Sequence, residues 1–106
     1  MYLATHRRVI GFSKPSRHSL GVRLENTLLE IIELGYLALG KQGTSRLMII
    51  SKLDIKLRIF FTHLRLAHQT RCLNDAGYAE LSQHSVELGK MIGHWIKATK
   101  TALNAR

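Results

Sequence analysis

Apolar residues recur at helical spacing along most of the chain, and no run alternates with period two for long enough to argue a strand. Between residues 17 and 40, Leu20, Leu24, Leu28, Ile31, Ile32 and Leu39 fall at helical steps. Beyond residue 74, Tyr78, Leu81, Leu88, Ile92, Trp95 and Thr99 do the same. Three breaks punctuate the pattern: GFSKPS at residues 11 to 16, with the only proline, GKQGT at 40 to 44, and CLND at 72 to 75. The reading is a short helix over about residues 2 to 11 and three long ones, over about 17 to 40, 44 to 71 and from 74 onwards. Ser16 is the expected N-cap of the second helix and Asn74 that of the fourth, where Asp75 in the first turn favours the helix dipole. Short breaks between long helices imply antiparallel neighbours. The expected fold is all-α: an up-and-down four-helix bundle with a short first helix, formed by residues 1 to 106 as a single domain.

The third helix carries more apolar side chains than one face can hold. At about 100° per residue, Ile50, Leu53, Leu57, Phe60, Phe61, Leu64 and Ala67 form a broad stripe that faces the bundle. Met48, Ile55, Ile59 and Leu66 form a second, narrower stripe on the opposite side. Lys52, Lys56 and His63 border the stripes on one side, Arg58 and Arg65 on the other. Monomers seldom leave such a patch in water. Either another segment of the chain wraps round it or, as we expect, Met48, Ile55, Ile59 and Leu66 form an oligomer interface with basic borders at its rim.

Composition adds charge to this picture. Sixteen Lys and Arg stand against seven Asp and Glu, a net charge of +9. The excess is uneven: residues 1 to 19 hold Arg7, Arg8, Lys14 and Arg17 and no acid, and residues 43 to 72 hold Arg46, Lys52, Lys56, Arg58, Arg65 and Arg71 against Asp54 alone. Such a balance favours a polyanionic partner, most simply RNA or DNA, over a merely soluble basic surface. The expected nucleic-acid contacts are Arg7, Arg8, Lys14, Arg17, Lys52, Lys56, Arg58, Arg65, Lys90 and Lys97. The single cysteine, Cys72, gives no disulfide within the chain and fits a reducing, cytoplasmic setting. No apolar run is long enough for a membrane span, so no membrane partner is expected. No apolar secretion signal follows Met1, while the acid-free start, rich in Arg, His and Ser, also fits an organellar transit peptide.

No catalytic constellation stands out, and the chain reads as a non-enzyme without a cofactor. Six histidines are scattered. His68 and Cys72 share a helical face at a spacing of four, but two ligands make no zinc site, so no metal is expected. Gly40 and Gly43 lack the pattern of a phosphate-cradling loop. Tyr78 and Trp95 lie on the apolar stripe of the last helix and read as core rather than as base-stacking residues. Gly21, Gly35, Gly89 and Gly93 fall inside helices; the spacing of Gly89 and Gly93 suggests close helix approach.

Two stretches carry a family resemblance. The first is Phe12, Lys14, Pro15 and Arg17 followed by Leu20, Gly21, Arg23 and Leu24; the second is Leu88, Gly89, Lys90, Met91, Ile92 and Gly93 followed by Trp95, Ile96 and Lys97. In this order they resemble the small four-helix-bundle proteins that include the accessory variability determinant (Avd) of diversity-generating retroelements. A related branch is encoded within intervening sequences of bacterial 23S ribosomal RNA genes; its Asn-Ile-Ala-Glu-Gly stretch is missing here, where residues 31 to 40 read IIELGYLALG. The resemblance implies a basic homopentamer that binds nucleic acid and a reverse transcriptase and serves mutagenic cDNA synthesis from a template RNA. One departure stands out. The family's first helix is several turns long, whereas residues 1 to 11 alone precede the turn here, which implies a partly uncovered groove. A protein–protein adaptor and a ribosome-associated role are the alternative functions.

Overall fold

A computed structural model of the chain describes residues 1–105, and among these the fold is all-helical, four helices packing against one another. Helix α1 spans Tyr2–Ile10. Helix α2 opens with the turn Lys14–Ser16, passes through a π-helical turn Arg17–Gly21 and continues over Val22–Leu39. Helix α3 spans Gly43–Gln69 and α4 Asp75–Asn104.

The first expected boundary moves. Ser16 does not cap α2: its backbone is already helical, and the helix starts three residues earlier than expected, behind Ser13 in an extended conformation. Pro15 explains the shift, since its fixed φ and missing N–H suit a first helical turn. Ser16 Oγ instead accepts hydrogen bonds from Ser13 Oγ and from Cys72 Sγ, tying this turn to the α3–α4 loop. Asn74 does cap α4; its Oδ1 accepts from the Gly77 N–H at 2.7 Å. The start of α3 uses Gly43 at φ +59°, a left-handed geometry that costs glycine little. At its other end Arg71 takes φ 62°, which turns the chain so that the Cys72 and Leu73 N–H groups both donate to the Ala67 carbonyl.

Glu25 meets His6 across α1 and α2; Glu30 meets Lys56 across α2 and α3; Leu57 lies beside Gly89 and His68 beside Asp75 and Tyr78 across α3 and α4. Helix α3 is the centre of the molecule, with α2 on one flank and α4 on the other; α2 and α4 barely touch directly. The predicted inward stripe of α3 supplies the floor: Ile50, Leu53, Leu57, Phe60, Leu64 and Ala67 are buried, and Phe61 is half-buried. Leu24, Leu28 and Ile31 of α2 and Leu81 and Ile92 of α4 close over it.

The short α1 lies in the groove between α2 and α4, at one end only. Ala4, Thr5 and Val9 face inward, Arg8 Nε reaches Glu80 Oε1 on α4 at 3.1 Å, and His6 Nδ1 donates to Glu25 Oε1 on α2 at 2.6 Å. The close seat depends on Gly21, where a Cβ would stand 2.7 Å from Val9 Cγ1. Beyond Met1 the groove continues uncovered. Ile31, Ile32, Gly35, Leu88, Met91, Ile92 and Trp95 line it over a floor that includes Leu53, enclosing about 400 Å³. Ile32 and Leu39, expected in the core by their spacing, are instead exposed on the open side of α2 near Trp95. Among the described residues no helix is long and apolar enough to cross a membrane.

Candidate nucleic-acid interface

The second stripe of α3 lies outside, as its spacing implies. Met48, Ile55, Ile59 and Leu66 are 60, 56, 39 and 42 % exposed, so no other described part of the chain wraps round them. The basic borders are also present, but their members differ. Lys56 Nζ is drawn to Glu30 Oε2 of α2 at 2.6 Å, and Arg58 to Asp54 one turn back at 3.3 Å. Arg65 lies over the Phe61 ring, 5.6 Å from its centre, a contact that holds the guanidinium while leaving its donors free. Lys52 is exposed and makes no ion pair among the described residues.

The ten expected contacts do not form one patch. Arg7, Arg8, Lys14 and Arg17 gather at the end of the molecule where α1 turns into α2 and where the α3–α4 loop returns, held there by the Cys72–Ser16 hydrogen bond. The exposed Arg71 of that loop joins them, a basic residue that helical spacing could not select because it lies in a break. Lys52, Lys56, Arg58 and Arg65 run along α3. Lys90 and Lys97 share the outer face of α4, two turns apart. Of the ten, only Arg8, Lys56 and Arg58 have acidic partners among the described residues. The other seven present unneutralised charge to solvent.

Arg46 has a structural role. Its Nε donates to the carbonyls of Ala38 and Lys41 at 3.0 and 2.9 Å, closing the C-terminal end of α2. Lysine and arginine suit such an end because they oppose the negative pole of the helix. His68 and Cys72 do not converge: His68 Nε2 donates to Asp75 and its ring stacks on Tyr78 at 4.3 Å, while Cys72 bonds to Ser16. Tyr78 is half-buried in that stack, and Trp95 is half-buried on the open groove. Gly89 sits at ordinary contact distance from Leu57, but Gly93 has no neighbour for a Cβ to meet, so the two glycines do not mark one close crossing. Among the described residues no three His, Cys, Asp or Glu side chains are grouped to hold a metal ion.

His63 sits on the border that its spacing implies, but it is half-buried there, and its Nδ1 is buried without a hydrogen-bond partner. Burial, and then the nearby Arg23 guanidinium, push its pKa below the usual 6.5, so the ring is neutral near pH 7. Searches against family models, curated proteins and solved structures find no match to this chain.

Proposed function

We propose that the chain is an up-and-down four-helix bundle with a short first helix that binds nucleic acid as a cytoplasmic, non-catalytic accessory protein. In this reading it belongs with the Avd-like proteins, assembles as a homo-oligomer, a homopentamer by that resemblance, and holds template RNA or a DNA–RNA hybrid near a partner reverse transcriptase. The observation that carries the reading is the set of seven expected contact residues without acidic partners, on a chain with a net charge of +9. Binding of this kind rests on counterion release. Its affinity falls steeply with salt and depends weakly on sequence. Met48, Ile55, Ile59 and Leu66 supply the subunit interface, which brings the borders of α3 from several copies side by side and sums their potential.

Filter binding of an unrelated RNA over a salt series tests the reading. Retention that falls steeply with salt supports it, and no retention at moderate salt overturns it. Replacing Arg58 and Arg65 together by Gln lowers the slope of log affinity against log salt by about 1 to 2. An unchanged slope removes those two residues from the phosphate contacts.

A second reading has its own support. The uncovered groove beside Trp95 is almost wholly apolar, and such a groove suits a helix of another protein. Under that reading the chain is an adaptor, and the basic surface steers an acidic partner towards it. A ribosome-associated role is supported only through the intervening-sequence branch of the same resemblance.

A further inference from the structure

The cleft between the first half of α2 and the middle of α3 differs from the rest of the basic surface. It encloses about 640 Å³, within the range of small-ligand sites. His18, Arg23, Asn26 and Glu30 reach it from α2, and Lys56 and His63 from α3. Four of these six side chains are basic or can become so, and the one acid, Glu30, is already engaged by Lys56 at 2.6 Å. Arg23 and Lys56 against Glu30 leave a formal charge of +1 in the concavity. Three further features set it apart from a solvated border. The buried Nδ1 of His63 has no partner, and a buried polar atom left unpaired in a folded chain calls for an explanation. The π-helical turn Arg17–Gly21 inserts one residue into the helical repeat where His18 and Ser19 enter the cleft. Such turns often occur at functional sites. Val22 and Ile59 add an apolar wall, which excludes water from part of the concavity and strengthens charge-assisted hydrogen bonds there.

We propose that this cleft binds a phosphate group, with Arg23 supplying charge and His18, Asn26, Lys56 and His63 supplying hydrogen bonds. Donors from two facing helices suit a tetrahedral anion better than a planar carboxylate, because they approach from opposite sides. An arginine can grip two phosphate oxygens at once. The volume exceeds that of one phosphate, which leaves room for an attached sugar. The inference rests on the nucleic-acid reading for the larger ligand and on the cleft's own chemistry for the phosphate.

Histidine-selective NMR on the full chain tests it, with inorganic phosphate, a mononucleotide and a short single-stranded RNA as three separate probes. Phosphate or mononucleotide should move the His18 and His63 ring signals and leave His84 and His94 in place. Arg23→Gln should weaken this binding about tenfold, and Lys100→Gln on α4, outside the cleft, should leave it unchanged. Arg23 is exposed, so the variant keeps its fold, which circular dichroism verifies. If RNA moves the same signals, the phosphate is one of the nucleic-acid backbone. If phosphate and mononucleotide bind in the cleft but RNA binds nowhere, the site stands and the nucleic-acid reading falls. If RNA binds while no probe moves His18 or His63, the cleft proposal falls and the nucleic-acid reading stands.

Discussion

At the scale of single residues, His63 has the clearest measurable consequence. Its pKa is lowered in the folded state, so below 6.5 the unfolded chain takes up a proton more readily than the folded one. Its contribution is therefore fully present above pH 6.5 and is lost as pH falls through 6.5 towards the folded value. The groups around it are Arg23, His18 and Glu30 from α2 and Lys56 from α3. Replacing His63 by Gln should make stability less sensitive to acid between pH 7.5 and 5. Urea unfolding of both proteins at the two pH values measures this, and equal losses would show that His63 is not the group responsible. Two glycines give opposite expectations on the same helix. Gly21→Ala forces Cβ against Val9 Cγ1 and should cost about 1 to 3 kcal/mol through overpacking under α1. Gly35→Ala meets nothing within 4 Å and should stabilise by about 1 kcal/mol through helix propensity alone. Thermal melts of the pair separate a glycine needed for packing from one that packing does not require.

At the scale of elements, the helix pattern was legible because each break holds residues that oppose helix or cap it, and Asn74 shows how local that information is. The inward and outward stripes of α3 were legible for the same reason: both follow from spacing on one helix. What spacing could not supply was what faces each border. Arg8 meets Glu80 across 72 residues of sequence, and nothing local to either side chain marks the pair. Lys56, an expected nucleic-acid contact, is bound to Glu30, and His63, placed on the same border by its spacing, is half-buried where the first half of α2 passes beside it. The mistaken cap at Ser16 had a local cause, since Pro15 outweighs a serine that follows it. Arg46 is another case: its charge suggested a surface role, yet it closes a neighbouring helix. Arg46→Ala should release the Ala38 and Lys41 carbonyls and loosen the end of α2. Amide exchange there should speed up about tenfold, for a loss of about 1 to 1.5 kcal/mol, with the centre of α3 unaffected.

At the scale of the whole molecule, the chain is a rod with principal extents of 52 × 21 × 18 Å, so most residues lie near a surface and four aligned apolar side chains form a large share of one side. Light scattering of nucleic-acid-free protein at high salt should give the mass of a closed oligomer near five chains, and Ile55→Lys with Ile59→Lys should reduce it to one. A monomeric wild type at all concentrations would remove the subunit interface and favour the adaptor reading. The short α1 also makes the two ends of the rod unequal. At one end α1 binds α2 to α4 through Glu25 and Glu80; at the other, the two flanking helices rest on α3 with no strap between them. Unfolding therefore has a direction. It begins where Leu39 and Trp95 lie open and travels towards the α1 turn, so the rod comes apart like a clasp fastened at one end.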